Sequence, residues 1–328
     1  MLATQAQDFA GSLWAIALRD RAGETRADLE AALATGAIVR SWPMRGTLHL
    51  TTPDDLRMLL TVSAERTIAG TRGRRAQLGL TEEDLRRGED LTVELLGGGR
   101  ALRRPELMAE LTLRGLDTTG QRAAHLLLYL SLLGVTCLGP MDGKQQAIVL
   151  LDEWAPGSAP DRLSALNQLA VRYTRSHGPI TPADLAWWAG ITKTEATATL
   201  RNAGGAVREI ATELGPMWLA PDSPAANAPT ALAAADVVRL LPPFDELLLG
   251  YTDRSANLDP AYWDRVAPGA NGLFRPILSV GGRVLATWRV DGAREKSVAV
   301  DAFDGLPQER SAELETAAAE HLRFAATR

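Results

Sequence analysis

Residues 161–220 read DRLSALNQLAVRYTRSHGPITPADLAWWAGITKTEATATLRNAGGAVREIATELGPMWLA. Apolar residues recur at Leu163, Leu166, Leu169, Ala170 and Tyr173, a spacing that predicts a helix over 161–177, stopped by Gly178-Pro179. Thr181 then has the chemistry of an N-cap, with Pro182 at the first helical position and Asp184 in the first turn. This second helix, 182–189, ends at Gly190. Thr192 opens a third helix that runs to about Asn202, and Glu195 follows it by three residues as in a capping box. Gly204-Gly205 closes it, and strand-like runs follow at 206–210 and 217–220. Three helices with a tight turn between the second and third, then a two-stranded ribbon, predict a winged helix-turn-helix.

The same order precedes it. Helices are expected over 82–96, 104–113 and 120–133, then strands over 135–138 and 145–151 around the Gly139-Pro140-Met141-Asp142-Gly143 turn. The first fifty residues read as a further copy: helices over 9–18 and 26–34, strands over 38–42 and 46–50, then a helix from Pro53 to about Ile68. After Pro221 the texture changes. Residues 221–235 read as an Ala/Pro linker, and strand-like runs at 237–241, 247–251, 273–280, 283–289 and 297–301 predict a small barrel, closed by a helix over 308–325. The expected fold is therefore α+β: three tandem winged-helix units plus a small C-terminal β-barrel. The expected units are 1–75 (with its connecting helix), 76–155, 156–222 and 236–328.

Composition narrows the function classes. The chain has 328 residues and a formal net charge of −5, which counts against a generic polyanion binder. Yet Lys144, Lys193 and Lys296 are its only lysines, and arginines cluster locally as Arg66, Arg72, Arg74 and Arg75 and as Arg100, Arg103 and Arg104. A groove is positive when charges are arranged so, whatever the total, and the guanidinium fork matches phosphate. Nothing reaches the roughly 18 consecutive apolar residues of a membrane span. Cys137 is the only cysteine and no secretory signal is visible, so a cytoplasmic, nucleoid-associated location is expected. His125 and His177 have no second histidine or cysteine at ligand spacing, so no metal and no cofactor are expected. Trp14, Trp42, Trp187, Trp188 and Trp288 read mostly as core.

Several segments together resemble the winged-helix alkylpurine DNA glycosylases. They are Gln5-Ala6-Gln7, the run from Met44 to Leu50 (MRGTLHL), the run from Gly178 to Trp188 (GPITPADLAWW), Leu241-Pro242-Pro243-Phe244-Asp245-Glu246, Gly250-Tyr251-Thr252-Asp253-Arg254 and Ala286-Thr287-Trp288-Arg289. The resemblance spans nearly the whole chain. It implies three tandem winged helices and a small barrel, and it places a catalytic Gln-x-Gln motif on Gln5 and Gln7. Only four residues precede Gln5, where the family carries a longer segment, so the first unit is expected to be N-terminally shortened.

The resemblance implies a monofunctional DNA glycosylase for alkylated purines of the N7 type, bulky or crosslinked ones included. N7 alkylation makes the base a cation that departs neutral and needs little acid assistance. A glutamine carbonyl can orient the attacking water and face the positive charge developing on the sugar. No lysine lies in the first hundred residues, which disfavours a Schiff-base nucleophile near the motif. The expected partner is damaged double-stranded DNA, met by a monomer without a membrane. Arg45, Thr47 and His49 alternate on a strand and share a face, offered either to DNA or to neighbouring helices. With Arg72, Arg74, Arg75, Arg254 and Arg289 they form the candidate DNA contacts. Asp245 and Asp253 are candidate supports; Asp245 and Glu246 could orient Arg254 or Arg289 or assist catalysis, with a structural ion pair weighed above the catalytic role. The alternative is a non-enzymatic winged-helix DNA binder, a regulator or a lesion binder.

Overall fold

A computed structural model describes residues 1–20, 22–269, 272–293 and 295–327. The chain opens with β1 (Thr4–Gln5), α1 (Phe9–Ala17), α2 (Arg26–Ala34), β2 (Val39–Met44), β3 (Thr47–Thr51) and the long α3 (Pro53–Gln77). It continues with α4 (Glu82–Leu96), α5 (Arg104–Leu113), α6 (Arg122–Leu132), β4 (Thr136–Asp142), β5 (Gln145–Leu150) and the short α7 (Leu151–Trp154). The segment read first gives α8 (Arg162–His177), α9 (Pro182–Ala189), α10 (Lys193–Asn202), β6 (Arg208–Thr212) and β7 (Gly215–Leu219). Then come α11 (Ala228–Ala235), β8 (Val238–Leu241), α12 (Glu246–Leu249), α13 (Trp263–Val266), β9 (Ile277–Val280), β10 (Arg283–Asp291), β11 (Ser297–Ala302) and α14 (Ser311–Ala326).

Local chemistry explains the helix starts. Thr25, Thr81 and Thr181 each cap their helix with an Asp three residues on returning the bond, and Thr52, Asp161 and Thr192 cap with the side chain alone. Gly190, at φ 71°, ends α9 in the left-handed conformation that permits the tight turn into α10.

Four expectations need correcting. First, α3 runs to Gln77 rather than about Ile68, because Gly70 and Gly73 are tolerated within it and Arg74 and Arg75 sit favourably at its C-terminal end. Second, the 221–235 linker contains α11, which its run of alanines favours. Third, 247–251 is not a strand: Asp245 accepts from the Leu247 amide and starts α12. Fourth, with that strand gone, the C-terminal strands form an open antiparallel sheet in the order β11-β10-β9-β8, not a closed barrel. Helix α14 covers one face, with Leu314, Ala317 and Ala318 against Leu240, Leu278 and Trp288.

The early hairpins do not stand apart. They join through Arg40 and Leu138 into one sheet in the order β1-β3-β2-β4-β5. Cores are shared likewise. Leu2, Ala3, Met44 and Met58 pack into the cluster of Tyr173, Trp188 and Leu200, whereas Ala6 packs with Leu13, Leu29 and Leu50. The stretch between Ala3 and Ala6 is therefore held at both ends by different cores. No helix of the described residues is long and apolar enough to cross a membrane.

Candidate active site

Gln5 and Gln7 lie where that stretch crosses from one core to the other. Strand β1 pairs antiparallel with β3, Thr4 opposite Leu50 and Gln5 opposite His49, and the Ala6 amide donates to the Leu48 carbonyl at 2.7 Å. Asp8 follows directly and caps α1, accepting from the Gly11 amide. Gln5 is 8% exposed, whereas Gln7 is open to solvent. Gln5 Nε2 donates to Gln7 Oε1 at 2.9 Å. That bond leaves the Gln5 carbonyl as an acceptor and the Gln7 amide as a donor.

His49 stands opposite both Gln5 on β1 and Ser41 on β2, so the three share one face of the sheet. It is fully buried, and its Nδ1 lies 2.8 Å from the Thr47 carbonyl, which can only accept. The proton is thus assigned to Nδ1, and Nε2 keeps a lone pair without a hydrogen-bond partner among the described residues. Burial, reinforced by the charge of Arg45, pushes the imidazole down to about 4. His49 is neutral at pH 7 and supplies an acceptor, not an acid.

Arg45 differs from its expected placement. It sits in the turn between β2 and β3 at φ 55°, not on a strand, so it leaves the alternation of Thr47 and His49. Its guanidinium lies 4.4 Å from the ring centre of Trp187, and the Arg254 guanidinium lies 5.3 Å from Trp187 and 4.9 Å from Trp263. Neither Nη1 nor Nη2 of Arg45 has a hydrogen-bond partner among the described residues. Burial lowers both arginines from their ordinary value, Arg45 against the opposing pull of Glu246. Two guanidinium groups thus share the Trp187 ring, and the charge of Glu246 partly offsets that of Arg45.

Glu246 is buried, near enough for its charge to act on Arg45. Its Oε2 accepts from Trp188 Nε1 at 2.8 Å and meets His177 Nε2 at 3.2 Å. Burial works to raise its carboxyl, but the His177 bond and charge, the Arg45 charge and the Trp188 bond outweigh it and hold Glu246 below its ordinary value. The charge of this buried carboxylate acts on both Arg45 and His49, and its Oε1 has no hydrogen-bond partner among the described residues. Tyr173 stacks on His177 at 4.4 Å and donates to the Gly250 carbonyl, locking this network to the C-terminal segment.

The other candidates sit elsewhere. Asp245 does not orient Arg254 or Arg289; it forms a bidentate pair with Arg19 of the first helix's C-terminal end, at 2.6 and 2.9 Å. Asp253 accepts from the Ser255 amide, and Arg289 pairs with Asp291 two residues on. On α3, Arg72 is exposed, Arg74 bonds Gln77 and Gln121, and Arg75 is buried, bonding the Ile68 carbonyl and Thr71 and lying over Tyr129. Thr47 bonds the Met44 carbonyl within its own turn. Among the described residues no group of three His, Cys, Asp or Glu side chains is placed to hold a metal ion.

Sequence reading missed the roles of Trp187, Arg19, His177 and Arg40. One signal was present: adjacent helical residues point about 100° apart, so of Trp187 and Trp188 only one can face inward. Trp188 does, and Trp187 is left half-buried to carry the arginines.

Three comparisons bear on this arrangement. The family model described as DNA glycosylase AlkZ-like matches residues 1–324. The interstrand DNA cross-link repair glycosylase of Streptomyces sahachiroi is 25% identical over 302 residues, covering 87% of this chain and 79% of that protein. The solved structure of the Streptomyces sahachiroi DNA glycosylase AlkZ superposes with a TM-score of 0.83 at 23% identity, over 99% of this chain and 89% of its own, a likeness of fold.

Proposed function

This chain belongs to the AlkZ-like DNA glycosylase family, enzymes that hydrolyse N-glycosyl bonds, and from that premise we propose that it releases alkylated purines of the N7 type from double-stranded DNA, using a water positioned by Gln5 and Gln7. The observation that carries the reading is the Gln5–Gln7 bond itself. It turns two flexible amides into one oriented unit with the Gln5 carbonyl left to accept from water. An already cationic base leaves readily, so orientation of water and a carbonyl dipole towards the sugar supply what the step still needs. No lysine precedes Lys144 in the chain, consistent with hydrolysis without a Schiff base or strand cleavage.

Arg254 beside Trp187, and Arg72 and Arg74 on α3, are proposed to meet phosphate, with Thr47 lining the lesion side; His49 is fully buried and the Arg45 guanidinium nitrogens are buried, so neither is proposed as a direct DNA contact. The Streptomyces sahachiroi relative is named for interstrand cross-link repair, and the exposed edge position of Gln7 suits lesions too bulky to extrude. We extend the proposal to crosslinked purines on that ground.

The experiment is release of free base from a duplex carrying N7-methylguanine, and unhooking of an N7-crosslinked duplex, by wild type and by Gln5→Ala/Gln7→Ala. Release by wild type and loss in the double variant is the expected result. Equal release by both removes the catalytic assignment. Binding of the damaged duplex by wild type without release favours a lesion binder.

A further inference from the structure

Arg40 is a half-buried cation whose donors go to the backbone of the Gln-x-Gln motif. It lies on β2, with Leu50 of β3 on one side and Leu138 of β4 on the other, and it points to the opposite face of the sheet from Gln5. Its Nε and Nη2 both donate to the Ala6 carbonyl, at 3.1 and 2.5 Å. Its Nη1 donates to Gln146 Oε1 at 3.0 Å, and Gln146 in turn donates to the Gly139 carbonyl at 3.0 Å. Its face lies 5.2 Å from the ring centre of Phe9. No carboxylate forms an ion pair with it among the described residues, and burial lowers it to about 10, with only the more distant charge of Asp8 opposing. Withdrawing a guanidinium from water without a counter-ion is costly unless its donors are satisfied, and here the Ala6 carbonyl and Gln146 satisfy them.

Ala6 is the hinge of the motif. Gln5 and Gln7 flank it, so the orientation of its two peptide units sets the direction of both side chains. Strand pairing holds the Gln5–Ala6 unit, through the Ala6 amide and the Leu48 carbonyl. Arg40 holds the next unit, Ala6–Gln7, by its carbonyl. We propose that Arg40 is a positioning residue for the reaction: its fork clamps the Ala6 carbonyl and so fixes the mutual orientation of Gln5 and Gln7. Through Gln146 the same fork ties the motif to the 136–150 hairpin, so the second hairpin braces the site from behind.

This inference rests on the proposed role of Gln5 and Gln7. Its test is single-turnover base release from N7-methylguanine duplex by the full-length protein, with duplex affinity and Tm measured alongside. Arg40→Met keeps an apolar stem of similar reach and removes every donor; about a hundredfold slower release is expected at unchanged affinity, the scale of a modest misplacement of reacting groups. Arg40→Lys keeps the charge but replaces the fork with a single point donor, and about tenfold slower release is expected; it carries the test if the methionine variant does not fold. Rates are read well below each variant's Tm, so that an unfolded fraction cannot mimic the loss. Combined with Gln5→Ala/Gln7→Ala, the Arg40 substitution is expected to cost nothing further, because both act on one step. A wild-type rate in a folded Arg40 variant, or a loss additive to that of the glutamine pair, overturns the positioning role while leaving the glutamines in place. Wild-type release by the glutamine double variant instead overturns the reading beneath it.

Discussion

Removing the charge of Asp245 tests how the N-terminal and C-terminal parts of the chain are held together. Its carboxylate is wholly buried on the side chain and grips Arg19, whose side chain is 31% exposed, while Oδ1 also receives the Leu247 amide that starts α12. Breaking a buried pair from one side costs about 3–5 kcal/mol. Arg19 reaches water and keeps its bond to the Ala15 carbonyl at 3.1 Å, so the cost here falls to about 2 kcal/mol. Asp245→Asn preserves shape and the cap and should lose that amount. Asp245→Ala also loses the cap, worth about 1 kcal/mol more. At about 2 °C per kcal/mol for a chain of this size, these correspond to Tm falls of about 4 and 6 °C. Arg19→Met should destabilise on its own by leaving the carboxylate buried and unpaired. The Asp245→Asn/Arg19→Met double variant should then recover about 1–2 kcal/mol of the summed loss. Thermal unfolding at fixed pH and salt reads wild type and the four variants. Single variants within about 0.5 kcal/mol of wild type, or a strictly additive double variant, would refute the clasp.

Three further outcomes are expected. Stability should fall on acidification: His49 folds neutral, so its contribution is complete above its ordinary 6.5 and is lost as pH drops from there towards about 4, up to about 3 kcal/mol, with the depressed Glu246 adding loss at lower pH. Denaturant titrations at several pH values check this, and His49→Asn should flatten the upper part of the profile. Gly250→Ala should destabilise by about 1–3 kcal/mol, because a Cβ there meets His177 Cδ2 at 2.5 Å and the Glu246 carbonyl at 2.7 Å; wild-type stability in this variant would contradict that packing. Arg72→Ala should weaken duplex binding across sequences and flatten its salt dependence by about one phosphate contact, whereas Arg75→Ala, whose guanidinium is buried, should lower Tm and leave the salt slope unchanged; titrations at several salt concentrations separate the two.

What the sequence determined by itself is local and periodic. The helices of 162–202 and their caps follow from Thr and Asp at fixed offsets, and the paired helix-and-hairpin order follows from apolar spacing and glycine stops, because caps and turns are settled within a few residues. The reach of α3 and the fate of 247–251 escaped it, since glycine inside a helix and Asp at a helix start compete with stronger-looking strand and stop signals. Only the tertiary structure decided that two hairpins fuse into one sheet, that the C-terminal strands stay open, and that Asp245 answers Arg19. Arg40 holding the Ala6 carbonyl, Arg45 and Arg254 sharing Trp187, and Glu246 bonded to Trp188 and His177 all join residues distant in the chain. Such pairings are chosen by which surfaces meet on burial, where an unpartnered charge is costly, and a one-dimensional pattern carries no record of that choice.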